Sequence, residues 1–172
     1  MTATSSLIKQ ELDRLFAARR PTQWVTRERP KIDRIACPWL ILRFVDPKAE
    51  FLYVPAKEVF ATAARENAVA YDIPGAPFEH GGEGCTFDAF IKRFGLGAPG
   101  LEQLAAIVRG ADTSRLDLTP QSAGLYAISL GLSRNFADDH EMLRHGLVVY
   151  DALYAWAAAL EDETHNWPLK IE

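Results

Sequence analysis

WVTRERPKIDRIACPWLILRFVDPKAEFLYVP, residues 24–55, decides the fold. Its two ends, WVTRE from Trp24 and EFLYVP from Glu50, are short runs rich in aromatic and β-branched residues, which read as strands. Between them stands Cys37-Pro38, followed by an apolar run. Proline has no N–H to give to a helix interior but suits a first turn. A helix is therefore expected from about Cys37 to about Val45, ended by Asp46-Pro47. Strand, helix and strand in that order make a βαβ unit with parallel strands. A helix from Lys57 to about Asn67 and a third strand, AVAYDIP, extend it. The expected fold is mixed α/β. It opens βαβαβ on a small, mostly parallel three-stranded sheet.

The rest of the chain reads as helical. Residues 5–19 place Leu7, Ile8, Leu12, Leu15 and Phe16 on one helical face, with Ser5 as its cap. After Pro74, helices are expected from Thr86 to Phe94, from Leu101 to a stop at Gly110, and from Thr119-Pro120 to about Leu132. A last helix opens at Asp138, with Glu141 completing a capping box, and runs to about Glu161 before an irregular tail. One domain over residues 1–172 is expected: an N-terminal helix within 1–22, an α/β layer over 23–75 and a C-terminal helical cluster over 76–162.

A composition of 48% hydrophobic and 24% charged residues is that of a globular protein. The net charge of −4 argues against a general nucleic-acid binder, which carries a basic stripe. Two cysteines make no disulfide framework and suit a reducing, cytoplasmic setting. The N-terminus turns charged before an apolar signal segment forms. GLVVYDALYAWAAAL is too short to span a bilayer and reads as a buried or interface helix.

Three stretches hold the residues that can do chemistry. FEHGGEGCTFDAF, residues 78–90, follows the third strand, and ligands of open α/β sheets sit beyond the carboxyl ends of strands. His80, Glu83 and Cys85 there are donors of the kind that transition metals take. The bland alternative is a solvated glycine turn with Cys85 as a small buried residue. In NFADDHEMLRHGLVVYD, Asp139 and His140 stand in a first helical turn, free to complete a two-segment metal site; the bland alternative is capping and dipole balance. In KIDRIACPW, Cys37 is expected at a helix start with Arg34 and Lys31 nearby, the setting of a reactive thiol or an anion pocket. A buried Cys37 beside Trp39 is the alternative, and Asp33-Arg34 reads more readily as a structural ion pair than a catalytic one.

Together the stretches WVTRERPKIDRIACPWLILRFVDP, EFLYVP, YDIPGAPFEHGGEGCTFDAF and DDHEMLRHGLVVYDALYAW resemble the chromate-resistance protein family, which includes the C-terminal domain of the chromate-responsive regulator ChrB. The resemblance runs from Trp24 to Trp156. It implies a role in the response to chromate, often beside a chromate efflux transporter. It marks Asp33, Arg34, Cys37, His80, Glu83, Cys85, Asp139 and His140 as positions within the family's signature stretches. The regulator carries a DNA-binding portion ahead of this domain. Only about 23 residues precede the match here, so no DNA binding by this chain is expected.

The expectation is a cytoplasmic metal-binding domain for chromate resistance or oxyanion sensing. A divalent transition metal (zinc, iron or manganese) would sit on His80, Glu83, Asp139 and His140, and chromate or a related oxyanion on Arg34 and Lys31. The alternative is a thiol- or metal-assisted reductase or transferase acting on oxyanions or sulfur compounds, with Cys37 or Cys85 as nucleophile. No membrane partner is expected. Val148, Val149, Leu153, Trp156 and Leu160 on the last helix suggest a homodimer seam.

Overall fold

The structure, a computed structural model, describes residues 3–159. Leu160 and the expected irregular tail lie outside the described residues. Strands β1 (Gln23–Arg27), β2 (Glu50–Val54) and β3 (Val69–Ala70) form a parallel sheet in the order β2-β1-β3. Pleating sends alternate residues to opposite faces. Trp24, paired with Phe51 and Val69, faces the larger core; Val25, paired with Leu52 and Ala70, faces a smaller one under Val59 of helix α3 (Val59–Glu66). The expected mixed α/β fold with a βαβαβ start is what forms.

Helix α2 (Asp33–Leu40) begins four residues before the expected start, so Pro38 lies inside it. An interior proline leaves the carbonyl four residues back without its N–H. That carbonyl belongs to Arg34, and the Tyr53 hydroxyl of β2 donates to it at 3.2 Å. Downstream the helix widens into a π turn over Ile41–Val45, closed by the Asp46 N–H donating to Ile41 O at 2.8 Å. Proline is tolerated here because a neighbouring strand supplies the missing donor, something the local sequence does not reveal.

Helices α1 (Ala3–Phe16), α4 (Thr86–Phe94), α5 (Leu101–Asp112), α6 (Ser122–Asn135) and α7 (Asp139–Ala159) complete the described chain. Gly110 does not stop α5. It lies inside that helix because any Cβ there would collide with Ser122 Oγ of α6. Helix α6 starts at Ser122 rather than Pro120, with the Thr119 hydroxyl 2.8 Å from Ser122 Oγ. Asp138 caps α7 by accepting the Glu141 N–H at 2.7 Å. No helix among the described residues is long and apolar enough to cross a membrane.

Cys85, not Thr86, is the N-cap of α4, and Asp88 accepts its backbone N–H at 2.9 Å. Arg109 of α5 clasps Asp88 with two bonds, 2.8 and 2.7 Å. Burial pushes the Asp88 carboxyl up, but the Arg109 and Cys85 donors outweigh it and hold the group below the usual carboxylate value. A depressed folded value means stability that is present above the unfolded pKa of about 3.9 and lost as pH falls through the folded one. Asp88→Asn is therefore expected to cost about 1–2 kcal/mol at neutral pH. The cost should shrink in melts below about pH 4, and one that stays constant down to acid would refute the ion-pair origin.

Candidate carboxylate–imidazole centre

β1 and β3 end side by side, and the chain leaving each delivers an aspartate to the same place. After β1 the backbone turns at Ile32, a β-branched residue held at φ +38°, and Asp33 opens α2. After β3, Asp72 is itself left-handed at φ +52°. Strained backbone of this kind costs on the order of 1–3 kcal/mol per residue and gathers at functional sites. Asp112 is the last residue of α5, the helix end where a negative charge is disfavoured. His80 reaches in from the glycine loop before α4.

The imidazole is the meeting point. His80 Nε2 lies 3.0 Å from Asp112 Oδ2, 3.2 Å from Asp72 Oδ1 and 3.5 Å from Asp33 Oδ2. Asp33 is fully buried and accepts the Thr86 N–H at 2.5 Å and the Phe87 N–H at 3.4 Å, at the α4 N-terminus. The Thr86 hydroxyl donates to Asp72 Oδ1 at 2.9 Å. Arg27 Nη2 and Arg34 Nε hold Asp72 Oδ2 at 3.1 and 3.3 Å. Burial, then the charges of Asp112 and Asp72, push the Asp33 carboxyl well above its ordinary value. Burial and Asp72 raise Asp112 likewise. Asp33, Asp72 and His80 each offer one atom within 4.8 Å of the others, close enough to share an ion.

Of the expected metal ligands, His80 alone enters this centre. Glu83 is 92% exposed, 3.7 Å from Arg115. Asp139 accepts the Arg29 N–H at 3.0 Å, and Arg29 also bonds the carbonyls of Ser133, Phe136 and Ala137 at the end of α6. The exposed His140 sets its ring 5.4 Å from Tyr53. Lys31 is exposed. The Arg34 side chain is spent on Asp72 and on the carbonyls of Arg27 and Glu28, at 3.3 and 3.0 Å.

Neither thiol has the cationic helix-start setting read from the sequence. Cys37 is buried in the second turn of α2; burial, then Asp33, Asp72 and Cys85, push it well up. Cys85 does precede a helix, but its Sγ lies 3.4 Å from an Asp88 oxygen, and burial, then Asp33 and Asp88, raise it too. Both side chains border the centre as neutral thiols.

Asp72 and Asp112 are the residues that sequence reasoning missed. Asp72 had a signal, since it follows a strand at the carboxyl edge where ligands gather. Asp112 had a weaker one, an acid at a helix end that penalises it.

A parallel α/β layer carrying three aspartates and a histidine at its carboxyl edge defines a small helix-covered domain with a buried polar centre. Residues 24–157 match the family described as ChrB, C-terminal domain, and the chain belongs to that family. Over 133 residues, 77% of the chain, it is 32% identical to Protein ChrB of Cupriavidus metallidurans strain CH34, and the match spans 40% of that protein's length. No solved structure matches.

Proposed function

We propose that this chain is a metal-binding domain taking part in chromate resistance or in the sensing of chromate and related oxyanions. One observation carries the metal. His80 Nε2 has three carboxylate oxygens within 3.5 Å, and an imidazole nitrogen has one proton to give. A divalent cation among Asp33, Asp72, Asp112 and His80 would satisfy the acceptors that a single N–H leaves over. Carboxylates favour manganese, and imidazole suits iron and zinc, so Mn²⁺ or Fe²⁺ fits this mixed set best, with zinc the competitor. The cation would add positive charge beside an open recess of about 340 Å³ lined by Arg27, Asp72, Ile73, Pro74, Glu79 and His80. A tetrahedral dianion such as chromate would enter there, with Arg27 rather than Arg34 on its rim. Membership of the ChrB C-terminal domain family supports the chromate part of the reading. The two free, buried cysteines suit a reducing cytoplasm.

The test is metal content and Mn²⁺ titration of the purified chain and four variants. His80→Ala and Asp112→Asn are expected to weaken binding at least about 10-fold, the size of effect that even outer-shell partners have. Glu83→Ala and His140→Ala should bind as the parent does. Metal retained in Asp112→Asn, or lost in His140→Ala, would move the site elsewhere.

A further inference from the structure

Helices α6 and α7 pack on each other across a three-residue connection, 136–138. Their inner sides bury Leu125 and Ser129 on α6, and Met142, Gly146 and Tyr150 on α7. Their outer side stays apolar. Ile128 is 47% and Val148 66% exposed, on either side of a shallow groove of about 630 Å³ floored by Leu132, Val149, Leu153 and Trp156. Ala152, Ala155, Ala158 and Ala159 are exposed as well. From Val148 to Ala159, α7 has one charged residue, Asp151, and it is engaged by Arg43 and Trp39 Nε1, each at 2.9 Å.

A second feature marks the same side. Gly124 and Gly131 flank Ile128 at four residues before and three after, inside α6. A Cβ on either would touch nothing. Glycine in a helix costs about 1 kcal/mol relative to alanine, and no contact among the described residues requires either one. Glycines and alanines on an outer helix face permit close approach by another helix.

We propose that this face pairs with the same face of a second copy, antiparallel about a two-fold axis at Ala152. Val148 of each copy would then lie against Trp156 of the other. The dimensions favour a copy over a short peptide. Helix α7, with 21 residues, is about 31 Å long. Helix α6, with 14 residues, is about 21 Å long, and each helix is about 10 Å wide, so the two together present about 500 Å², somewhat below the roughly 800 Å² per partner of a standard interface. Charge does not oppose it, because the paired stretch from Val148 to Trp156 carries one charged residue, Asp151, already held by Arg43 and Trp39 of its own chain.

The experiment is sedimentation velocity on the whole chain at about 50 μM, well above a micromolar Kd. A dimer is expected, and Val148→Lys should shift it to monomer with dissociation at least about 100-fold easier. Val148 is exposed, so unchanged circular dichroism would show that the variant still folds. Register is tested separately with Ala152→Cys. Cys37 and Cys85 are buried, so air oxidation should join two copies through the new thiols, while Glu66→Cys on α3 should not cross-link. A parent that stays monomeric at that concentration, or a dimer indifferent to Val148→Lys, would overturn the proposal. Equal cross-linking at both positions would do the same.

Discussion

Asp33→Asn is expected to make the metal-free protein more stable and, in the same molecule, to abolish metal binding. Asp33 is fully buried, 3.5 Å from His80 and close enough to Asp72 and Asp112 for both to raise its carboxyl. Its bonds from the Thr86 and Phe87 N–H groups favour the charge, yet burial and the two neighbouring acids outweigh them. Asparagine keeps an oxygen for those N–H groups, removes the charge and offers an NH₂ to the remaining carboxylates. A gain of about 1–2 kcal/mol follows, or a melting temperature about 2–8 °C higher in chelator. Mn²⁺ affinity should fall at least about 100-fold, and the parent alone should be stabilised by added Mn²⁺, by about 2.7 kcal/mol at 100 times Kd. If the variant melts lower than the parent in chelator, Asp33 is a helix-capping device rather than a ligand held at a cost to folding.

The same opposition shows how far the sequence can be read. The strands were legible because WVTRE and EFLYVP are short runs rich in aromatic and β-branched residues, as a parallel sheet covered on both faces requires, and Trp24 and Phe51 pair on the side of the larger core. The start of α2 was not, because the rule that places proline in a first turn assumes that its orphaned carbonyl has no other partner. Here a tyrosine from a strand 19 residues away supplies one. Similarly, Gly110 reads as a stop until α6 is seen to press on it.

The centre was half legible for a related reason. His80 stood out through its glycine loop, and Asp33 was noticed, though as a partner for Arg34. Glu83 and His140 were chosen because they lie near His80 in sequence or open a helix, whereas the fold selects by the carboxyl ends of β1 and β3. Asp72 sits at one such end, and Asp112 arrives on α5, 32 positions from His80. Only tertiary contact brings it in. What local sequence does carry is one sign of the conflict, an acid closing a helix; the backbone adds the other, a non-glycine residue turned to positive φ after β1 and after β3. Local rules are broken where three carboxylates are forced together, as expected where function outranks local preference.

Trp24→Ala should be the most damaging single change in the described core. Trp24 is 0% exposed, with ring centroids 5.1 Å from Phe16 of α1, 5.6 Å from Phe78 and 5.3 Å from Phe90 of α4. Its Nε1 donates to Thr22 Oγ1 at 2.9 Å, and the Thr22 N–H and hydroxyl both reach Asp46 Oδ2, at 2.9 and 2.8 Å. One side chain thus ties the first helix, the central strand and the loop that carries His80. Truncating a buried tryptophan costs about 3–5 kcal/mol, a large part of the 5–15 kcal/mol that holds a domain folded. The melting temperature should drop by about 10 °C or more. Trp24→Phe should cost less, since it keeps ring packing and loses the Thr22 bond and some volume. It should still weaken Mn²⁺ binding, because Phe78, stacked 4.1 Å from Phe90, stands two residues before His80 and leans on the same ring. A Trp24→Phe protein with lowered stability and undiminished Mn²⁺ affinity would show that the His80 loop is held by the carboxylates alone, and that the aromatic cluster serves folding without positioning the centre.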